Sequence, residues 1–389
     1  METDALFSGF QLLPETRVCV VIPVKNEEVH ILETLKCFLD QHNIDDSPYN
    51  FKRFEVLILA NNCTDSSVDL ICSFQKTYPQ IHLHLREINL PPQKANIGYV
   101  RRKLMNEACT RLKNNGGGII MTTDGDTRVS HDWMAQNEAE ICNGADAVGG
   151  RILLCEKEWM NLDSITRAMH LKDEEYLMLT AALESEILEL NHDPNPRHHQ
   201  HFNGSFAITS FFYEKCGGIP HVDHLEDCAL FERLQQCDAK IKHSNSVRVH
   251  TSARCTGRTD IGLSWQLNCW KNLGQKGLVN FKVESGNSVV QRLKLKKYLS
   301  EVWQKSTSDG FNYYGEMEKI IPLLTNMEAH YHSLNKCKYF GEWYAEVASA
   351  CATSWRMRYP NENIDDAIKY LKNELSNYAP ELISQTSIR

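Results

Sequence analysis

Ile119-Ile120-Met121-Thr122-Thr123-Asp124-Gly125-Asp126 is a short apolar run that ends in two carboxylates around a glycine. The run predicts a strand, and a helix is expected to start near Asp132. Carboxylates at i and i+2 on an extended segment point the same way. The glycine between them lets another group come close. Such oxygens at a strand's carboxyl end suit a hard divalent cation, Mg2+ or Mn2+, that would hold a diphosphate. Read more plainly, the same residues are an Asp-Gly turn with a flanking acid.

Upstream of this turn, strands and helices alternate. Arg17–Pro23 reads as a strand buried on both faces, and Glu27–Asp40 carries helical spacing. Phe54–Ala60 is a second strand, followed by the turn Asn61–Asp65 and a helix over Ser66–Thr77. Ile81–Glu87 alternates as a strand, and Gly98–Lys113 is helical before Asn114-Asn115-Gly116-Gly117-Gly118. This order predicts an α/β fold with a mostly parallel, twisted sheet flanked by helices, and ligands at the carboxyl ends of its strands. Downstream, Leu162–Leu190 reads as one long helical stretch, Asn191–Phe202 as a polar loop and Ser246–Val249 as a short strand. From Thr259 the pattern is helical: Ser288–Gln304, Glu316–Leu334, Phe340–Met357 and Ile364–Tyr378, the last capped by Asn363. The expected organisation is an α/β domain over 1–258 and a helical C-terminal region over 259–389.

With 389 residues there is room for two domains, or one large domain with an appendage. Lys and Arg number 42 against 50 Asp and Glu, so the net charge is −8. That balance gives no overall pull toward nucleic acid. The apolar runs are far shorter than the ~18 residues of a membrane span, and Met1–Phe10 lacks the basic start and apolar stretch of a signal peptide. The 14 cysteines scatter without a C-x-x-C pair, as reduced thiols of a cytoplasmic protein would.

Val21-Ile22-Pro23-Val24-Lys25-Asn26-Glu27-Glu28 resembles the opening V-I-P-x-x-N-E-E of family 2-like glycosyltransferases of the GT-A fold. Further segments resemble that family in order: Leu59–Ser66, Lys94–Gly98, the Asp124-Gly125-Asp126 turn, Phe202–Ser205, Cys216–Pro220 and Leu225–Leu230. The resemblance covers about residues 15–260 and implies a GT-A (nucleotide-diphospho-sugar transferase) sheet, mixed and mostly parallel. It implies that Pro23, Val24, Asn26, Glu27, Asn61, Asp65, Lys94, Asp124 and Gly125 hold a nucleotide-diphosphate sugar. Asp126, with Asp124 and His250, would hold Mn2+ or Mg2+, while Arg254 and Arg258 would reach phosphate oxygens. Asp227, beside Glu226, stands where the family keeps its catalytic base. Gly204, Ser205, Gly217 and Gly218 fall in the acceptor-side block, with His201 and His224 expected to touch acceptor. The chain departs from the family after the second strand, where the usual acids are replaced by Ala60 and Asn61.

The implied activity is metal-dependent, inverting transfer of a hexose from a nucleotide-diphosphate sugar to a small molecule or short glycan. Synthesis of a long polymer is disfavoured by the absence of a Q-x-x-R-W motif and of membrane spans. A nucleotidyltransferase would carry a Gly-rich basic loop where this chain has Pro23-Val24-Lys25-Asn26. The remaining alternative is a non-catalytic nucleotide-sugar-binding protein or scaffold on the same fold. His198, His199 and His201 lack helical i, i+4 spacing and a cysteine to complete a zinc set. The Lys-rich run Arg292–Lys297 reads as a solvated helix face. Trp265, Trp270, Trp303, Trp343 and Trp355 are core candidates, or the face of a homodimer.

Overall fold

Val18–Val24 (β1) is buried at every position and pairs in parallel with strands on both sides, which is why its sequence is continuously apolar. The computed structural model describes residues 6–222, 224–255, 257, 261–278, 280–306, 311–318, 320 and 332–383. After β1 come α1 (Ile31–Lys36), β2 (Phe54–Asn61), α2 (Ser67–Thr77), β3 (Leu83–Ile88), α3 (Ile97–Asn114), β4 (Ile119–Thr123), β5 (Arg128–Val129) and α4 (Trp133–Cys142). Then follow β6 (Ala147–Leu154), α5 (Glu156–Met160), α6 (Ser164–Leu188), β7 (Ser205–Thr209), α7 (Ser210–Lys215), α8 (Glu226–Gln236) and β8 (Ile241–Thr251). The chain continues through α9 (Leu263–Gln275), β9 (Lys282–Val283), α10 (Gly286–Lys305), α11 (Tyr313–Met317), α12 (Phe340–Arg358), β10 (Glu362–Asn363) and α13 (Ile364–Tyr378).

The principal sheet has 8 strands in the order β3-β2-β1-β4-β7-β6-β8-β5. β3, β2, β1 and β4 run parallel, β7 is antiparallel to β4 and β6, and β6 is parallel to β8. The sheet is therefore mixed and mostly parallel, as expected. Strand order reverses at β1, which has β2 on one side and β4 on the other. In such sheets the crevice for ligands opens outside the carboxyl ends at the reversal. Val24 and Thr123, the last residues of β1 and β4, deliver Asn26–Glu28 and Asp124–Asp126 to that spot.

Contacts divide the chain into two compact units: Met1–Asp163, Gln200–Arg233 and Lys240–Cys269 form one, and Ser164–His199, Leu234–Ala239 and Trp270–Arg389 the other. In the first, Ile22, Val56, Ile58, Met121 and Trp133 centre a core between sheet and helices. In the second, α6 packs with α10 and α13 through Leu179, Leu183, Val290, Leu293, Ile368 and Leu371. A further cluster joins Leu299, Val302, Met317, Trp343 and Val347. Trp343 and Trp270 are buried, while Trp265 is 45% exposed. Among the described residues no helix is long and apolar enough to cross a membrane.

Several elements match the sequence reading closely. α13 spans the expected residues, and the Asn363 side chain caps it by accepting from the Asp365 amide. α6 is unbroken from Ser164 to Leu188. α1 is shorter than the expected Glu27–Asp40, because Asn26–Glu28 is tied to the turn after β2 instead of winding into the helix. Most of the helix expected over Glu316–Leu334 lies outside the described residues.

Candidate active site

The turns at the carboxyl ends of β1 and β2 are laced together. Asn26, at φ 55°, accepts the Thr64 amide on its side-chain oxygen at 2.8 Å. The Glu27 amide donates to Ser67 Oγ at 2.7 Å, and the Glu28 amide to Asp65 Oδ2 at 3.0 Å. Asp65 Oδ1 also accepts from the Ser67 amide. Asn26 and Asp65, expected on the nucleotide, thus brace the turns themselves. Pro23, Val24 and Asn61 are buried beside it.

The Asp124–Asp126 turn approaches the first of these turns so closely that a Cβ on Gly125 would lie 3.0 Å from Glu27 Cγ. Thr34 on α1 donates to the Gly125 carbonyl at 3.0 Å, which pins the turn from below. Gly204 closes the other side: a Cβ there would stand 3.2 Å from Asp124 Oδ2, while its carbonyl accepts from Thr123 Oγ1. These are the close approaches that the two glycines permit.

Two arginines organise the acids. Arg101 on α3 is 2% exposed. Its guanidinium donates to Asp124 Oδ1, to Thr122 Oγ1 and, at 3.1 Å, to Glu226 Oε1. Burial opposes its charge, yet Asp124 and then Glu226 outweigh that and hold its pKa above the ordinary value. Arg254 forms a two-pronged pair with Glu27, both bonds at 3.1 Å, and reaches Asp126 Oδ2 at 2.8 Å. The loop that carries it is held by Glu158 on α5, whose carboxylate accepts from Ser252 Oγ and from the Ala253 amide.

Asp227, in the first turn of α8, is within electrostatic reach of Glu226, Arg101 and Asp124. Burial, and then repulsion by Glu226, raise its pKa above the usual carboxylate value, against the Cys228 amide and Arg101. The Cys228 thiol is pushed up to about 12 by burial and by Asp227, so it is neutral at neutral pH. Glu226 is buried, its Oε1 accepting from Arg101 Nε at 3.1 Å and from Asn203 Nδ2 at 3.5 Å.

Among the described residues, the remaining expected ones lie on β8, at the start of β7, after α7 and in the loops before α3, β7 and α8. His250 lies on β8 between Val249 and Thr251, and strand alternation turns it away from the face on which Thr251 Oγ1 meets Thr127 Oγ1 at 3.0 Å. Burial, then Arg128 and Arg248, lower its pKa. Ser205 is fully buried, its hydroxyl accepting from Trp133 Nε1 at 3.0 Å. Ser205→Ala is therefore expected to cost about 1–3 kcal/mol by orphaning that indole, measured by denaturant unfolding, with substrate KM unchanged. Gly217 and Gly218, at φ 79° and 66°, terminate α7 against Arg233 and Tyr213. His201 stacks on Phe231 at 3.7 Å. Lys94 is exposed, its ammonium 5.8 Å from the Tyr99 ring, and His224 is exposed. Arg258 lies outside the described residues.

Arg101 and Glu158 are absent from the sequence reading. Arg101 had a signal: with Leu104, Met105, Ala108 and Leu112 it falls on the apolar stripe of α3, where a charge demands a buried partner. Glu158 had none, since its partners lie 94 and 95 residues away. Arg101→Met is expected to lower stability by about 3–5 kcal/mol, because Asp124 and Glu226 lose their counter-charge. Adding Glu226→Gln should recover part of that loss in thermal unfolding.

Asp124 and Asp126 offer oxygens suited to a hard cation of the kind that binds through one or two carboxylates and takes its other ligands from substrate phosphates and water. Among the described residues no group of three or more His, Cys, Asp or Glu side chains is placed to hold a metal ion. Two carboxylates do not complete a coordination shell, so a cation held by them would take its remaining ligands from phosphate and water, and Gly204 has no side chain to crowd Asp124 Oδ2.

Residues 19–199 match the family model described as glycosyl transferase family 2. No curated protein matches the chain. Among solved structures, the mannosyltransferase PcManGT from Pyrobaculum calidifontis, in complex with GDP-Man and Mn2+, is 16% identical at TM-score 0.41, over 96% of this chain and 84% of that one. TarS 1-349 of S. aureus, in complex with UDP-GlcNAc, is 12% identical at TM-score 0.42, over 93% of this chain and 91% of that one.

Proposed function

We propose, from the match of residues 19–199 to the glycosyl transferase family 2 model and from the mixed, mostly parallel sheet, that the protein transfers a hexose, with inversion, from a nucleotide-diphosphate sugar to a small or short-glycan acceptor. The observation that carries this reading is the acid–arginine cluster at the reversal of the sheet. Arg101 joins Asp124 to Glu226, and Arg254 joins Asp126 to Glu27.

The donor's nucleoside lies over the turns after β1 and β2, with Asn61 and the laced Asn26–Asp65 backbone beneath it and Lys94 at the rim. Its diphosphate lies at Asp124–Asp126. A divalent cation, when bound there by Asp126 and Asp124, supplies compensation for the charge that builds on the leaving diphosphate. Arg254 contributes to the same task through its guanidinium donors, with Arg258 following it in the chain. Asp227 takes the proton of the acceptor hydroxyl as that oxygen bonds to the anomeric carbon and the carbon–phosphate-oxygen bond breaks. The electron pair leaves with the nucleoside diphosphate, and a single displacement inverts the centre. Glu226 and Arg101 keep Asp227 and Asp124 in register. Gly204, His201 and His224 line the acceptor side in this reading.

All 14 cysteines are free, which supports a reducing, cytoplasmic setting. The direct test is release of nucleoside diphosphate from a panel of UDP-, GDP- and ADP-sugars with Mn2+ and simple sugars as acceptors. Acceptor-stimulated release from one donor is the expected result. Nucleotide binding without any turnover favours the scaffold reading.

A further inference from the structure

Arg254 has its guanidinium on the carboxylates that the proposed chemistry needs for a cation and a diphosphate. It meets Glu27 through both oxygens at 3.1 Å and Asp126 Oδ2 at 2.8 Å. Asp126 is the less exposed member of the Asp124–Asp126 pair, its side chain 12% exposed against 39% for Asp124. A cation approaching Asp126 therefore meets a positive charge already bonded to its principal ligand. The backbone behind Arg254 is fixed, since Glu158 accepts from both Ser252 Oγ at 2.6 Å and the Ala253 amide at 2.8 Å. The side chain is 26% exposed, so solvent and ligands can reach it. With its backbone held by Glu158 and its side chain partly exposed, Arg254 can change partners by rotating its side chain without moving the loop.

We infer that Arg254 is a latch on the cation site: it neutralises Glu27 and Asp126 until a diphosphate takes the guanidinium, and only then does Asp126 become available to a divalent cation. The inference rests on the reading of Asp124 and Asp126 as cation ligands. A phosphate offers Arg254 the same two-pronged geometry as Glu27 with more charge, so the exchange is between like partners. By linkage, the factor by which diphosphate raises cation affinity is the factor by which cation raises diphosphate affinity. The latch thus makes the donor and its cation enter together and keeps the empty site from sequestering a metal.

The test is Mn2+ binding to the purified full chain without nucleotide, read as loss of the free Mn2+ signal in electron paramagnetic resonance. Wild type is expected to bind Mn2+ alone weakly, with Kd on the order of millimolar or above. Arg254→Gln should bind it about tenfold tighter or more, and adding Asp126→Asn to that variant should remove the gain. Tight binding of Mn2+ alone by wild type overturns the latch, even if the variant does not fold. Equal affinity in wild type and Arg254→Gln overturns it as well. If neither protein binds Mn2+ even with UDP or GDP present, the assignment of the cation to Asp124 and Asp126 is itself wrong, and the latch goes with it.

Discussion

Asp227→Asn is expected to lower kcat by about 10³-fold while leaving donor KM near its wild-type value. The amide keeps the shape of the side chain and its bond to the Cys228 amide, but it cannot take the acceptor proton. Wild-type activity needs the ionised carboxylate, so it falls as pH drops through the Asp227 pKa. Burial and then Glu226 raise that pKa, which puts the acid limb above the ~3.9 of a free aspartate. The limb should vanish in the variant. The raised pKa also has a stability consequence. A group favoured in its neutral form by folding contributes stability that is fully present below the unfolded pKa and lost as pH rises through the folded one. Asn stays neutral throughout, so the Tm of the variant at neutral pH should be no lower than that of wild type. A variant with wild-type kcat removes Asp227 from the chemistry.

Asp126→Asn carries the second large effect: kcat/KM should fall by about 10³-fold or more, with loss of Mn2+ dependence. Asp126 is the carboxylate that Arg254 meets from one side and that a cation would meet with its diphosphate. The neutral amide gives up most of the attraction for either. The paired bonds between Arg254 and Glu27 do not depend on it, so the fold and the loop after β8 should survive the change. Activity that keeps its Mn2+ dependence in this variant places the cation elsewhere.

The parallel half of the sheet was legible because burial on both faces writes a continuous apolar run, as in β1, β2 and β4. The acids of the site were legible for a related reason: strand ends in such a sheet are where polar motifs must project. β6 escaped because its centre is Gly149-Gly150, which locally reads as a turn. A Cβ on Gly149 would stand 2.4 Å from the Gln200 carbonyl, and one on Gly150 2.1 Å from Ser205 Oγ, so tertiary approach demands glycine there. The directions of His250 and Ser205 are set by strand alternation and by the bond from Trp133, neither of which the residue types alone reveal. Glu158 acts through bonds spanning 94 and 95 residues, and Arg101 reaches Glu226 across 125, so the local pattern shows that Arg101 needs a partner without showing which one.

The most direct test of a cation-assisted nucleotide-sugar site is thermal shift of wild type and Asp126→Asn with UDP, GDP and ADP, each with and without Mn2+. The account predicts that one nucleotide raises the Tm of wild type only when Mn2+ is present, and that Asp126→Asn loses this shift. No shift with any nucleotide in wild type, or a Mn2+-dependent shift that persists in Asp126→Asn, would contradict it.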